Sequence, residues 1–553
     1  MNKIILIFFV FTYSLALCNS HNTLYSFSNA DKEKDKESFR INMAKAWMKY
    51  NDDDFRGALR IYRSLYEDYP ESGTLNYRMG ECFLALKEMG DALKHLEIAL
   101  KNDSTIDKNA YFYIGQAYQY DGKLDEAINN YYKFKTLLTP KQLEKHFVNE
   151  LWAQCHTAKE LMANPVDVKI TNLGKNINSE FTDACPSLSA DGKILIFTSR
   201  RPETTGGLIE PANEEYYDDI YMSNISDATK TWELAKQMPS PINTEGHDAN
   251  TSISPDGNTI FIYKNITGVT KSGDIFYSTK KSPNEWSEPL PIDEKLINGT
   301  YFESSACITS DGNTMFFVSE RLDGYGNSDI YTSKKEGTNW GKPVNIGSVI
   351  NSIDDEIGVF IHPDGKTLFF SSNGHNTMGG YDIFMSIFKD GIWSTPVNMG
   401  YPINTTKDEI HFVLSTDGKI AYISSSREGG IGKTDIYQVD MTNYYKDNKN
   451  INKDLVDKLT GPILSILKGS IVDAETSLPV VVELIINDVD EKKEVATVSS
   501  NEKGEYFITL PSEKKYEIVV KSNKYKPLDI KFKLPKGTGE TYTLTKHILL
   551  NKK

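Results

Sequence analysis

A unit of 53–55 residues, with one longer first gap, is written five times between residues 178 and 437, and no feature limits the fold of this chain more. Each copy has an Asn, an acid five positions later and an Asp-Gly pair eight positions after the acid. The Asn residues are Asn178, Asn243, Asn298, Asn351 and Asn404; the acids are Asp183, Asp248, Glu303, Glu356 and Glu409. The turns centre on Asp191-Gly192, Asp256-Gly257, Asp311-Gly312, Asp364-Gly365 and Asp417-Gly418. Downstream comes an Asp-Ile-aromatic triplet that starts at Asp219, Asp274, Asp329, Asp382 or Asp435, and after the first four of these a Trp: Trp232, Trp286, Trp340, Trp393. Asp-Gly between alternating apolar runs reads as a hairpin with a tight two-residue turn, where Gly takes the positive φ and Asp tolerates it. Each copy is therefore a unit of about four short strands, and four-stranded units repeated at this period form the blades of a β-propeller.

The fifth copy ends at Tyr437 without the Trp and without the "PVNMG" stretch that closes its predecessors. The missing strand stands before the first copy, in "VKITNLGKNIN", where Gly174 precedes Asn178 by the same four residues that separate Gly347 from Asn351 and Gly400 from Asn404. Residues 166–174 are expected to complete the fifth blade from the N-terminal side, which removes the open edges. The sequence thus predicts a five-bladed propeller over 165–442.

The acids enter the innermost strand of every blade at one register, which would set Asp183, Asp248, Glu303, Glu356 and Glu409 around one end of the central channel. One reading is a cation or ligand site. The other is structural, each acid pairing with a residue of the next strand such as Arg200, Arg321 or Arg427, or capping a turn. Repetition in every blade favours the structural reading, because blade architecture must repeat and ligand sites need not. No metal site and no cofactor are expected, and the Asp of each triplet is expected to bond its own loop.

A net charge of −14 argues against nucleic acid and against binding an anionic bilayer by charge. The N-terminus has one Lys and an apolar run from Ile4 to Leu17, which reads as a secretory signal peptide over 1–20. Cys18 is a candidate lipidation site, although Leu17 occupies the position where a lipobox wants a small residue. Cys82, Cys155, Cys185 and Cys307 have no metal-ligand spacing and read as buried thiols.

Residues 39–163 switch to helical periodicity. Two stretches align at a 35-residue offset, matching Gly80 with Gly115 and Ala92 with Ala127, and an earlier copy places Ala46 and Ala58 similarly. Small residues at these points let antiparallel helices approach closely. The pattern resembles the tetratricopeptide repeat, with about three copies and a capping helix over "KQLEKHFVNELWAQCHTAKELM"; the resemblance implies a concave face that Tyr77, Tyr111 and Tyr118 could line. After a charged linker, residues 466–551 read as an all-β sandwich of about seven strands. Gly469, "NEKGEY" and "YEIVVKSNKYKP" resemble the carboxypeptidase-regulatory-like domain, a transthyretin-like accessory module without peptidase chemistry.

The "PDG…DIY…W" blades are of the type called PD40 or WD40-like. Signal peptide, tetratricopeptide repeats, these blades and a carboxypeptidase-regulatory-like domain, in that order, resemble the PorE-type periplasmic component of the type IX secretion system of Bacteroidota. The OmpA-like domain that ends that family is not among these 553 residues. The resemblance implies a periplasmic protein associated with the outer membrane, held by partner proteins or by lipid on Cys18. Its partners would be other envelope proteins, bound through the helical groove and the propeller.

Catalytic motifs are wanting. There is no Gly-x-Ser-x-Gly elbow, the Asp-Gly turns lack the extra residue of a sialidase Asp-box, and "GGIGKTD" at 429–435 has Arg427 where a phosphate loop needs its first Gly. "NDDDFRG" at 51–57 lacks the last acid of a calcium loop and reads as a turn between helices. The expected function is a non-catalytic envelope adaptor. The alternative is a periplasmic receptor for a glycan or peptide that uses the propeller channel.

Overall fold

The computed structural model describes residues 36–553, apart from 104, 105, 107, 211–213, 267–272, 283, 284, 294, 338, 445–462 and 537–540. The signal peptide, Cys18 and most of the charged linker lie outside the described residues.

The chain is multidomain, helical first and then all β. Eight helices run from α1 (Lys36–Asn51) through α2 (Phe55–Asp68), α3 (Gly73–Ala85), α4 (Met89–Asn102), α5 (Asn109–Tyr120), α6 (Leu124–Thr136) and α7 (Pro140–Glu144) to α8 (Val148–Ala163). Gly80 and Gly115 are glycine for a steric reason: a Cβ on Gly80 would lie 2.6 Å from Leu96 Cγ, and one on Gly115 would lie 2.5 Å from Tyr131 Cε1. Asp54 caps α2 through the Gly57 amide at 2.7 Å, so residues 51–57 form a helix-pair turn. The single capping helix expected from the sequence is two helices. The break falls at Lys145–Phe147, where His146 packs its ring against Phe112 and Phe134 with centroids 4.7 and 4.8 Å apart. Tyr77 is buried between helices, and Tyr111 and Tyr118 are partly buried in the packing. No helix among the described residues is long and apolar enough to cross a membrane.

Residues 169–440 form a propeller-like array of five sheets. The inner strands are Asp183–Leu188, His247–Ile253, Glu303–Ile308, Glu356–Ile361 and Glu409–Leu414, and each packs against the next, the fifth against the first. In every sheet the Asp-Ile-aromatic triplet opens the third strand, and its aromatic faces the outermost strand: Tyr221 opposite Gln237, Phe276 opposite Pro291, Tyr331 opposite Asn345, Phe384 opposite Asn398 and Tyr437 opposite Asn172. The last pair is the closure. Lys169–Asn172 runs antiparallel to Asp435–Asp440, and Asn172 makes the bonds of its counterparts Asn345 and Asn398, accepting from the glycine two residues on and donating to the triplet Asp.

The Asp-Gly turns differ from the two-residue hairpin expected. Only the glycine is left-handed, with φ of 68–74° in the five copies, and five residues separate the strands. The Asp contributes its side chain instead: Asp256 and Asp311 each accept, at 3.0 Å, the amide two residues on. The triplet acids do bond their own loops, as Asp329 does with the amides of Tyr325 and Gly326 and Asp435 with those of Ile431 and Gly432.

Residues 463–553 pack two four-stranded sheets face to face around Leu467, Leu484, Ile508, Ile518 and Tyr516. This module meets the ring at its Asp-Gly end, where Thr509 Oγ1 bonds Ser310 Oγ at 2.8 Å and Asn313 Nδ2 bonds the Thr497 carbonyl at 2.9 Å. The helical region meets the opposite end. Thr406 Oγ1 donates to the Tyr120 carbonyl at 3.0 Å, Tyr120 Oη lies 3.1 Å from Ser426 Oγ, and Lys87 pairs with Asp408. Cys82, Cys155, Cys185 and Cys307 are buried and form no disulfide.

Candidate functional site at the ring axis

The five repeated acids are fully buried. Each accepts a hydrogen bond from the backbone amide four residues before it: Ser179 to Asp183 at 2.6 Å, Thr244 to Asp248 at 2.5 Å, Gly299 to Glu303 at 3.3 Å, Ser352 to Glu356 at 2.7 Å and Thr405 to Glu409 at 2.7 Å. A group at or just past the end of the second strand answers the charge. Arg201 lies 3.0 Å from Asp183, Arg321 3.3 Å from Glu303 and Arg427 3.4 Å from Glu409; Lys264 pairs with Asp248, and Glu356 takes Ser372 Oγ at 2.8 Å with His375 at 3.8 Å. These acids close turns inside the blades. Burial pushes Glu303 and Glu356 up to about 7.

Two expectations are corrected here. The acids do not line the axial channel, because side chains alternate faces along a strand and these five point into the sheet stack. The cation of the first blade is Arg201 rather than Arg200. Arg201 stands two residues past Ser199, the offset at which Arg321 follows Ser319 and Arg427 follows Ser425, while Arg200 turns to Asp218 at 2.7 Å and Glu215 at 2.6 Å.

The axis is lined by positions at other offsets. Two residues past each acid stand Cys185, Asn250, Ser305, Gly358 and His411, one per blade, and all five line one cavity. The inner strands lose their regular register around this point. Cys185, Gly358 and His411 take left-handed φ values of 55–58°, which re-aims the backbone as bulges do. At Gly358 a Cβ would lie 3.1 Å from the His411 amide nitrogen, a contact tighter than side chains ordinarily make. Five residues past each acid, Leu188, Ile253, Ile308, Ile361 and Leu414 face a second cavity toward the Asp-Gly end. Both cavities mix apolar and polar side chains, and the charged ones gather at the helical end.

The helical end is acidic. Glu320, Asp355 and Asp408 line the same cavity, with Tyr381 and Phe302. Asp355 and Asp408 each stand one residue before a buried blade acid, on the alternate strand face. Burial and the neighbouring Asp355 charge push Glu320 up to about 7. Burial also raises Asp355. Asp408 accepts the Tyr381 amide at 3.1 Å and pairs with Lys87 from the α3–α4 turn. Burial pulls the Lys87 ammonium down, but Asp408 overrides it and keeps the group charged. His411 is held down to about 4 by burial, so it is neutral at pH 7. Three buried polar atoms of the lining have no hydrogen-bond partner: Asn250 Oδ1, Ser305 Oγ and His411 Nδ1. Among the described residues no cluster of three or more His, Cys, Asp or Glu could hold a metal ion. The sequence reading missed this lining, although the offset of two from the acids was there to be counted.

No family model matches the chain, and no curated protein matches it. Solved structures similar to it include an α-L-arabinofuranosidase from Lactobacillus brevis, with 15 % identity over 49 % of this chain and 94 % of that one at a TM-score of 0.32. A xylan β-1,4-xylosidase from Bacillus halodurans C-125 has 11 % identity over 65 % of this chain and 91 % of that one at a TM-score of 0.31. A 3-chlorocatechol 1,2-dioxygenase from Rhodococcus opacus 1CP has 11 % identity over 18 % of this chain at a TM-score of 0.15. The chain spans 63 % of that dioxygenase and 58 % of a hydroxyquinol 1,2-dioxygenase. Set beside the arabinofuranosidase and the xylosidase, the expectation of a non-catalytic adaptor is not upheld. Likeness at this level carries no substrate and no reaction to this chain.

Proposed function

We propose that the chain is a ligand-binding protein built on a five-bladed β-propeller, which takes a glycan or a peptide at the acidic end of its channel. One observation carries this reading. Each of the five inner strands gives at least one residue to a cavity on the axis, three carboxylates stand in the same lining, and three buried polar atoms there lack partners. Tetratricopeptide-type pairing of α1–α6, supported by the Gly80 and Gly115 contacts, presents the tips of the helix turns to this end of the ring. The apolar run from Ile4 to Leu17 supports export and a periplasmic, outer-membrane-associated location.

The test is calorimetric titration of the full chain with a panel of oligosaccharides and short peptides. Asp355→Asn is expected to weaken the binding found at least tenfold while leaving the unfolding temperature within a few degrees. A panel without a binder, or a binder indifferent to Asp355→Asn, would remove the reading.

A second reading, hydrolysis of a glycosidic bond, is favoured by Glu320. A carboxyl held up to about 7 beside another acid is the pairing that lets one group give a proton while the other stays ionised. Release of reducing ends from arabinoxylan, abolished by Glu320→Gln, would support it; release unaffected by that change would reject it.

A further inference from the structure

The axial cavity holds more hydrogen-bond acceptors than its own residues use. Asn250 Oδ1 can only accept. His411 is neutral and accepts at Nδ1 when its proton sits on Nε2, and Ser305 Oγ can accept as well as donate. These atoms come from three different blades, and the carboxylates of Glu320, Asp355 and Asp408 share the cavity with them. An occupant matched to such a lining brings several donors and positive charge together. A primary ammonium does both, with three donors on one nitrogen that turn to suit scattered acceptors; a guanidinium is planar and suits a single carboxylate met edge-on.

The chain itself shows such an occupant. Lys87 sits at the tip of the α3–α4 turn with a left-handed φ of 57°, and its ammonium enters this cavity to pair with Asp408. The ion pair engages one carboxylate of the three. Beside the carboxylates the lining also holds the apolar side chains of Phe302, Ile357 and Ile410. Apolar side chains among acids suit the methylene stem and charged tip of a lysine better than they suit a neutral sugar chain.

We infer that the axial cavity is a receptor site for a lysine side chain presented by an extended peptide segment, and that Lys87 is the chain's own stand-in, displaced when the peptide docks. The inference rests on the ligand-binding reading above and narrows it to one class of ligand.

The experiment titrates the full chain with acetyl-Ala-Leu-Lys-Leu-Ala-amide, with the same peptide carrying norleucine for lysine, and with cellotetraose. The lysyl peptide is expected to bind, and Lys87→Ala to tighten it tenfold or more by removing the competitor. Ser305→Ala is expected to loosen it about tenfold while the unfolding temperature stays level or rises, since it deletes a buried hydroxyl that makes no bond in the protein. Should Lys87→Ala loosen the helical region, Ser305→Ala carries the test alone. Equal binding of the norleucine peptide overturns the inference. Binding of cellotetraose without the lysyl peptide overturns it too, and leaves the channel reading standing. No binding by any probe to any variant removes both.

Discussion

Asn178 accepts the Ile436 amide at 2.9 Å and returns its Nδ2 to the Ile436 carbonyl at 2.9 Å, across 258 residues of chain. Its side-chain amide stands in for one more residue of a neighbouring strand. The same pair of hydrogen bonds joins Asn243 to Ile220, Asn298 to Ile275, Asn351 to Ile330 and Asn404 to Ile383. Every blade is thus latched to the third strand of the blade before it, and the ring closes because Asn178 meets the last one.

Replacing Asn178 by Ala leaves the buried amide of Ile436 unmatched, while the Ile436 carbonyl keeps the Leu173 amide at 3.2 Å. The expected cost is about 1–3 kcal/mol, the penalty for one buried group left without its bond. Urea denaturation of the full chain measures it. A loss below about 0.5 kcal/mol would mean the latch contributes nothing to closure.

Glu409→Ala removes the acceptor for Thr405 and Ser425 and strands Arg427. Breaking a buried pair from one side costs about 3–5 kcal/mol, so this variant is expected to melt well below the parent. Calcium is expected to leave the melting of both unchanged. A calcium-dependent rise in the parent that the variant lacks would make the blade acids a cation site after all.

The pH dependence follows from the raised acids. Glu303 and Glu356 hold their protons up to about 7 when folded, against 4.5 for an ordinary glutamate. Between those values the folded chain binds more protons than the unfolded one. Stability from these groups therefore falls as pH rises from about 4.5 to 7 and is level above that. Glu356→Gln stays neutral throughout, so it should gain on the parent by about 1–3 kcal/mol between pH 5 and pH 8. Denaturation curves at both pH values decide it; an unchanged difference would show that Glu356 titrates normally.

Two glycines on the helices should respond in opposite directions. Gly115→Ala forces a Cβ into Tyr131, and overpacking of about 1–3 kcal/mol exceeds the helix-propensity gain of about 1 kcal/mol. Gly90 has nothing within 4 Å of the added atom, so Gly90→Ala should stabilise by about 0.5–1 kcal/mol. Thermal melts of the two variants, moving the same way, would contradict the packing described for α5 and α6.

The repeat made the ring legible because every blade must meet its neighbours alike: the Asn, the acid and the triplet are architectural, and architecture recurs. The N-terminal origin of the closing strand was legible for the same reason, since Gly174 keeps its spacing to Asn178. The cavity was harder to read because it is made where the copies diverge. Cys185, Asn250, Ser305, Gly358 and His411 share an offset but no chemistry, so a search for recurrence passes over them. Lys87 was beyond reach, since nothing in a helix-turn signal says which distant surface the turn will meet. The Arg200 and Arg201 exchange shows the limit at finer grain. Adjacent arginines point to opposite sides of a strand end, and only the offset from Ser199 tells them apart.

The closing strand also fixes how the molecule would yield to a pull. Lys169 faces Asp440 and Asn172 faces Tyr437, so the chain enters from the helical region and leaves toward the sandwich at the same end of the same two strands. Tension applied between those outer modules, once their contacts with the ring have parted, loads this pair like a zipper. Its bonds would open one after another instead of sharing the force as they would if the strands were sheared lengthwise. The seam that completes the circle is thus its mechanical fuse, and stretching the protein by its ends should open the ring there before any blade unravels.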